Sequence, residues 1–117
     1  MRHLKKGKKF HRLASRRRSF LRNLGNDLIR TGRIETTEVR AKAIRPLVER
    51  LISVGKKQNL AARRSLLTKT QNPKIAHKVY EELGKRYASR PGGYLRIIKL
   101  GKSKKRDGSR LVTIEFV

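Results

Sequence analysis

A chain of 117 residues with 33 Lys or Arg, only 8 Asp or Glu and a formal net charge of +25 has room for one domain and one core, and it cannot neutralise itself. The absence of cysteine excludes disulfides and thiolate metal sites. No run approaches the roughly 18 apolar residues of a membrane-crossing helix, and the excess charge asks for a polyanionic partner.

The first eighteen residues hold nine Lys or Arg, and no acid precedes Asp27. Leu4, Phe10 and Leu13 stand alone between charges, so the continuous apolar stretch of a secretory signal is missing. A mitochondrial-type presequence shares the Arg-rich, acid-poor composition, but here the basic run leads straight into a helix that the body needs. The reading favoured is an extended basic arm over residues 1–14, ahead of a single α+β domain over 15–117. Such an arm is expected to be disordered when free and ordered on its partner.

Leu13, Phe20, Leu21, Leu24, Leu28 and Ile29 recur at three- and four-residue steps and predict a helix from about Ser15 to Arg30, stopped by Thr31-Gly32. Arg33-Ile34-Glu35-Thr36 leans to β structure, with Thr37 as N-cap of a second helix and Glu38 in its first turn. That helix carries Ala43, Ile44, Leu47, Val48, Leu51, Ile52 and Val54 and closes at Gly55, which makes it the expected centre of the core. Pro46 inside it predicts a kink.

Asn59 is placed to cap a short helix through Leu66 and Leu67, and Asn72-Pro73 starts another carried by Ile75, Ala76, Val79, Tyr80, Leu83 and Tyr87. Ser89 to Gly93 breaks the pattern. Tyr94 to Leu100 and Leu111 to Val117 read as strands joined by a long basic loop, Gly101 to Arg110, with an Asp107-Gly108 turn. The expected body is therefore about four helices packed on a small sheet that ends in a C-terminal hairpin.

Catalytic chemistry is scarce. No pair of carboxylates stands out, and His3, His11 and His77 lack the spacing of a zinc site. Gly92-Gly93 is neither a P-loop nor a dinucleotide fingerprint and reads as a turn before a strand. No enzyme, cofactor, metal or small-molecule substrate is expected.

Cations gather in the arm, on the helical surface around Arg40, Lys42, Arg45, Lys56, Lys57, Arg63 and Arg64, and in the loop with Lys102, Lys104, Lys105 and Arg106. One such cluster is an ordinary solvated face. Three together, with so few acids, point to nucleic acid. An extended arm of fifteen residues spans roughly 50 Å, enough to enter the deep clefts of folded RNA, and Phe10, His3 and His11 offer rings for stacking on unpaired bases. Motifs of sequence-specific DNA readers are missing, which leaves a nucleoid-type, non-specific DNA-binding protein as the alternative. A membrane-surface role would need apolar stripes that the core already uses.

Four stretches carry a family resemblance. They are Met1-Arg2-His3-Leu4 with Gly7, Lys8, Lys9 and Arg12; Thr31-Gly32-Arg33-Ile34 running into Thr36-Thr37 and Ala41-Lys42; Gly92-Gly93-Tyr94-Leu95-Arg96; and Ile114-Glu115-Phe116-Val117. In this order and over nearly the whole chain they resemble the bacterial large-subunit ribosomal proteins of the L-seventeen family. The resemblance implies a small mixed sheet, a basic N-terminal arm, and binding to large-subunit ribosomal RNA near the peptide-exit side, beside other ribosomal proteins. It also implies a cytoplasmic location in the ribosome, with no membrane and no homo-oligomer. The RNA-binding residues expected in and just after the arm are Arg2, His3, Lys5, Lys6, Lys8, Lys9, Arg12, Arg16 and Arg17. In the body they are Arg33, Lys42 and Arg96, and for Arg96 an exposed strand charge is the alternative.

Overall fold

Gly32, at φ +87°, closes the first helix, α1 (Ala14–Thr31), and its N–H donates to Leu28 O at 2.8 Å. Only glycine reaches this left-handed cap without steric cost, which is why the helix stops where Thr31-Gly32 predicts. The structure is a computed structural model that describes Phe10 and residues 13–117. The expected arm, apart from Phe10, Leu13 and Ala14, lies outside the described residues.

After α1 the chain forms β1 (Arg33–Thr37) and turns into α2 (Glu38–Gly55) at the predicted cap, where the Thr37 hydroxyl accepts from Arg40 N. Pro46 leaves α2 as one element. It lies on the exposed side, so water is available to the Lys42 carbonyl that lacks an N–H partner. The opposite side of α2 presents Ile44, Val48 and Ile52, all fully buried. They pack with Leu28 and Ile29 of α1, and each such side chain contributes about 1.5–3 kcal/mol by leaving water. As expected, α2 is central: it touches α1, the next helix, the C-terminal helical run and the sheet.

Asn59 caps α3 (Leu60–Thr70) by accepting from Ala62 N at 2.7 Å, and Asn72 caps α4 (Pro73–Lys78) by accepting from Lys74 N and Ile75 N. A buried bond of longer range fixes α3 against α1: Asn26 Nδ2 donates to Thr70 O at 3.0 Å, across 44 residues of sequence. Removing that donor in Asn26→Ala strands a buried carbonyl. The variant should lose about 2 kcal/mol in a denaturant melt, against less than about 0.5 kcal/mol for an exposed substitution.

The run that starts at Pro73 does not stay α-helical. Val79–Leu83 forms a π segment, in which Gly84 N–H donates to Val79 O, and α5 (Gly84–Arg86) completes it. Tertiary contact accounts for this change. The backbones of α2 and the π segment meet through two glycines: a Cβ on Gly84 would sit 2.7 Å from Gly55 O, and one on Gly55 would sit 3.1 Å from Val79 O. Gln58, at φ +53°, spans the junction, its Nε2 donating to Gly55 O at 2.8 Å and to Tyr80 O at 2.7 Å.

The last two elements are β2 (Leu95–Ser103) and β3 (Arg110–Phe116), and the sheet order is β1-β3-β2. Both pairings are antiparallel, so the expected mixed sheet is an antiparallel one. β1 and β2 do point the same way, but β3 inserts between them and they never pair. The α+β class, with helices on a small sheet and a C-terminal hairpin, stands as expected. The hairpin loop is shorter than predicted because β2 continues through a bulge at Gly101, φ +70°, to Ser103, and only residues 104–109 remain outside the strands. One sheet face buries Val112, Ile114 and Leu95 against the helices, and among the described residues the opposite face carries the exposed Arg33, Glu35, Arg96 and Ile98.

Candidate nucleic-acid interface

The described cations divide into those held by carboxylates and those that are not. Arg33 and Arg96, on the two edge strands, flank Glu115 of the central strand in one row of the open sheet face. Glu115 Oε1 lies 2.8 Å from Arg96 Nε, and its Oε2 lies 3.8 Å from Arg33 Nε. Lys42 pairs with Glu38 at 3.0 Å on successive turns of α2, and its ammonium holds the Glu38 carboxyl below the ordinary carboxylate value. Lys102 reaches Glu35 at 3.3 Å. The cation of each pair is exposed to water and salt, so these pairs add little to stability. They fix the position of Arg33, Lys42 and Arg96 while cancelling part of their charge toward a phosphate.

Arg16 and Arg17 are placed differently. They occupy the first turn of α1, which contains no acid and has no side-chain cap at Leu13. Positive side chains at the positive end of a helix oppose its dipole by about 0.3–1 kcal/mol each, and an anion outside the helix would remove that cost. Neither pairs with a carboxylate among the described residues. Arg2, His3, Lys5, Lys6, Lys8, Lys9 and Arg12 lie outside the described residues. Phe10, expected to stack on bases, packs on Phe20 with ring centroids 5.7 Å apart, and the Arg40 guanidinium lies 5.1 Å from the Phe20 centroid.

The structure adds Arg22, Arg50 and Lys69, which sequence reasoning missed, beside Arg18, the last cation of the basic opening run. Arg18 and Arg22 of α1, Arg50 of α2 and Lys69 of α3 converge on one groove of about 370 Å³ between α1 and α2, floored by Leu21, Leu47 and Leu51. No acid lines it. A signal was present: no Asp or Glu occurs between Glu49 and Glu81, a stretch that holds Arg50 and Lys69. Helical spacing alone did not show that these positions meet Arg18 and Arg22 across α1.

Elsewhere, Arg63 lies over the Tyr80 ring at 5.2 Å, an arrangement that steadies a guanidinium without using its donors, whereas Arg86 lies over Tyr87 at 5.1 Å and also donates from Nη2 to Val117 O at 2.9 Å. At the hairpin tip Lys104, Lys105 and Arg106 are exposed. The turn beneath them is held by Asp107 Oδ1, which accepts from Ser109 N at 3.0 Å and is thereby kept below its ordinary pKa. At the entry to β2, Lys56 Nζ donates to Tyr94 Oη at 2.9 Å and lowers the pKa of that phenol. Among the described residues no three His, Cys, Asp or Glu gather as a metal site would require, and no helix is long and apolar enough to cross a membrane.

Comparison with known proteins places the chain in a family. A large ribosomal subunit protein bL17 of Dehalococcoides mccartyi is 45% identical over 117 residues, covering 100% of this chain and 99% of that protein. The bL17 of Thermus thermophilus is 41% identical with the same coverage, and that of Allorhizobium ampelinum is 44% identical over 100% of this chain and 82% of its own length. The family model described as ribosomal protein L17 matches residues 20–117, from within α1 to the end of the sheet. A fold dense in unpaired cations, matched from end to end by relatives of one kind, belongs to the ribosomal protein L17 family.

Proposed function

We propose that this protein is a structural, non-enzymatic constituent of the large ribosomal subunit that binds and pins large-subunit ribosomal RNA. The single observation behind this reading is the charge imbalance. Among the described residues seven ion pairs engage six of the chain's 8 acids, and most of its 33 Lys and Arg have no internal counter-charge. The names of the relatives, all large ribosomal subunit proteins, support the location.

In this reading residues 1–14 are an RNA-entering arm and residues 15–117 the body that docks on the surface, beside neighbouring ribosomal proteins in the cytoplasm. Arg2, His3, Lys5, Lys6, Lys8, Lys9 and Arg12 contact phosphate from the arm, and Arg16 and Arg17 continue that line onto the start of α1. Arg33, Lys42 and Arg96 serve as positioned secondary contacts, each sharing its charge with a carboxylate. Ordering the arm on RNA costs conformational entropy that the phosphate contacts offset.

Reversing Arg2, Lys8 and Arg12 to Glu together should deplete the protein from assembled large subunits, measured by mass spectrometry of gradient fractions, while circular dichroism shows the body folded. Unchanged incorporation rejects the role of the arm. Equal or tighter binding of the unaltered protein to random duplex DNA than to structured RNA favours the nucleoid-type alternative.

A further inference from the structure

We infer that the groove between α1 and α2 holds one unpaired nucleobase, with the phosphates on either side of it on the cationic rim. The inference rests on the RNA-binding reading and adds a specific subsite to it. Its floor is apolar: Leu21 comes from α1 and Leu47 and Leu51 from α2, and all three are half-buried, leaving hydrophobic surface open to the groove. Its rim carries Arg18, Arg22, Arg50 and Lys69, and none of the four pairs with a carboxylate among the described residues.

The fold builds this site deliberately. Gly25 lets the two helices close at the bottom of the groove, since a Cβ there would already lie 3.3 Å from Val48 Cγ2. The Asn26 to Thr70 bond draws the last turn of α3 against α1 and so delivers Lys69 to the rim. Arg22 is steadied by donating to Ser19 Oγ at 3.3 Å, its one side-chain hydrogen bond among the described residues.

An apolar floor and a cationic rim together select the occupant. A paired duplex offers the rim phosphate but keeps its bases stacked away from the floor. A free phosphate satisfies the rim and leaves the leucines wet. An extruded base satisfies both, because its face is apolar and phosphates flank it on both sides. The charge complementarity favours RNA over a protein segment, which would need several carboxylates spaced around an apolar side chain.

The test uses the full chain and two RNA hairpins equal in length and charge, one with a continuous stem and one with a single bulged 2-aminopurine. The protein should bind the bulged hairpin about tenfold more tightly at fixed salt, and the fluorescence of the probe should change on binding. In Leu51→Gln that preference should vanish while binding to the continuous stem persists. If Leu51→Gln melts early, the exposed pair Arg18→Gln and Arg50→Gln, which leaves the floor intact, should still cut the preference at least threefold. Equal affinity of the unaltered protein for both hairpins overturns the base-holding groove but not RNA binding, whereas failure to bind either hairpin overturns RNA binding itself. Ultraviolet cross-linking in intact large subunits provides the second readout. A nucleotide adduct on a groove peptide supports the inference, and groove residues linked to a neighbouring protein overturn it.

Discussion

Gly84→Ala is expected to lower the melting temperature of the body by roughly 10 °C, because the added methyl has nowhere to go. Its Cβ would stand 2.7 Å from Gly55 O and 2.8 Å from Gly55 C, both backbone atoms in the last residue of α2. The third neighbour, Gln58 Nε2 at 3.1 Å, is a side-chain end that can move, but moving it breaks its bonds to Gly55 O and Tyr80 O. Alanine gains about 1 kcal/mol over glycine as a helix former. Overpacking costs about 3 kcal/mol when no side chain can yield, so the steric term wins by about 2 kcal/mol. For a domain of this size that is on the order of 10 °C in melting temperature. Gly92→Ala serves as the control: nothing lies within 4 Å of the position its Cβ would take, and its melting temperature should stay within about 3 °C of the original. Equal melting of the two variants would mean that the Gly55–Gly84 contact is not tight.

Binding to structured RNA is expected to collapse as salt rises. If the arm, α1 and the groove rim together engage about six to ten phosphates, affinity falls by about 10³ to 10⁵ between roughly 50 and 200 mM salt. Fluorescence anisotropy over that range measures the slope of log K against log salt. Each engaged phosphate contributes about 0.7 to 0.9 to its magnitude, depending on whether the RNA is single- or double-stranded. Neutralising Arg33, Lys42 or Arg96 singly should change the slope less than neutralising Arg16 or Arg18, since Glu115 and Glu38 already share the charge of the first three. A flat salt response would leave the surplus of positive charge without a function in binding.

What could be read from the chain by itself is what depends on near neighbours in sequence. Gly32 ends α1, Thr37, Asn59 and Asn72 start the next helices, and the alternation in the last segment makes a strand, because caps, turns and periodicity act over a few residues. The cationic character of the molecule and its resemblance to one family were equally visible there. Tertiary structure decided the rest. The π segment arises where Gly84 meets Gly55, 29 positions away, and the antiparallel sheet arises because β3 slides between β1 and β2. The same holds for charge: whether an arginine is tied, like Arg96 to Glu115, or open, like Arg18 beside Arg50, depends on which helix or strand faces it. Short-range rules set the elements, but a residue's electrostatic surroundings come from packing between distant segments, and so the division into tied and open cations is legible only in the folded chain.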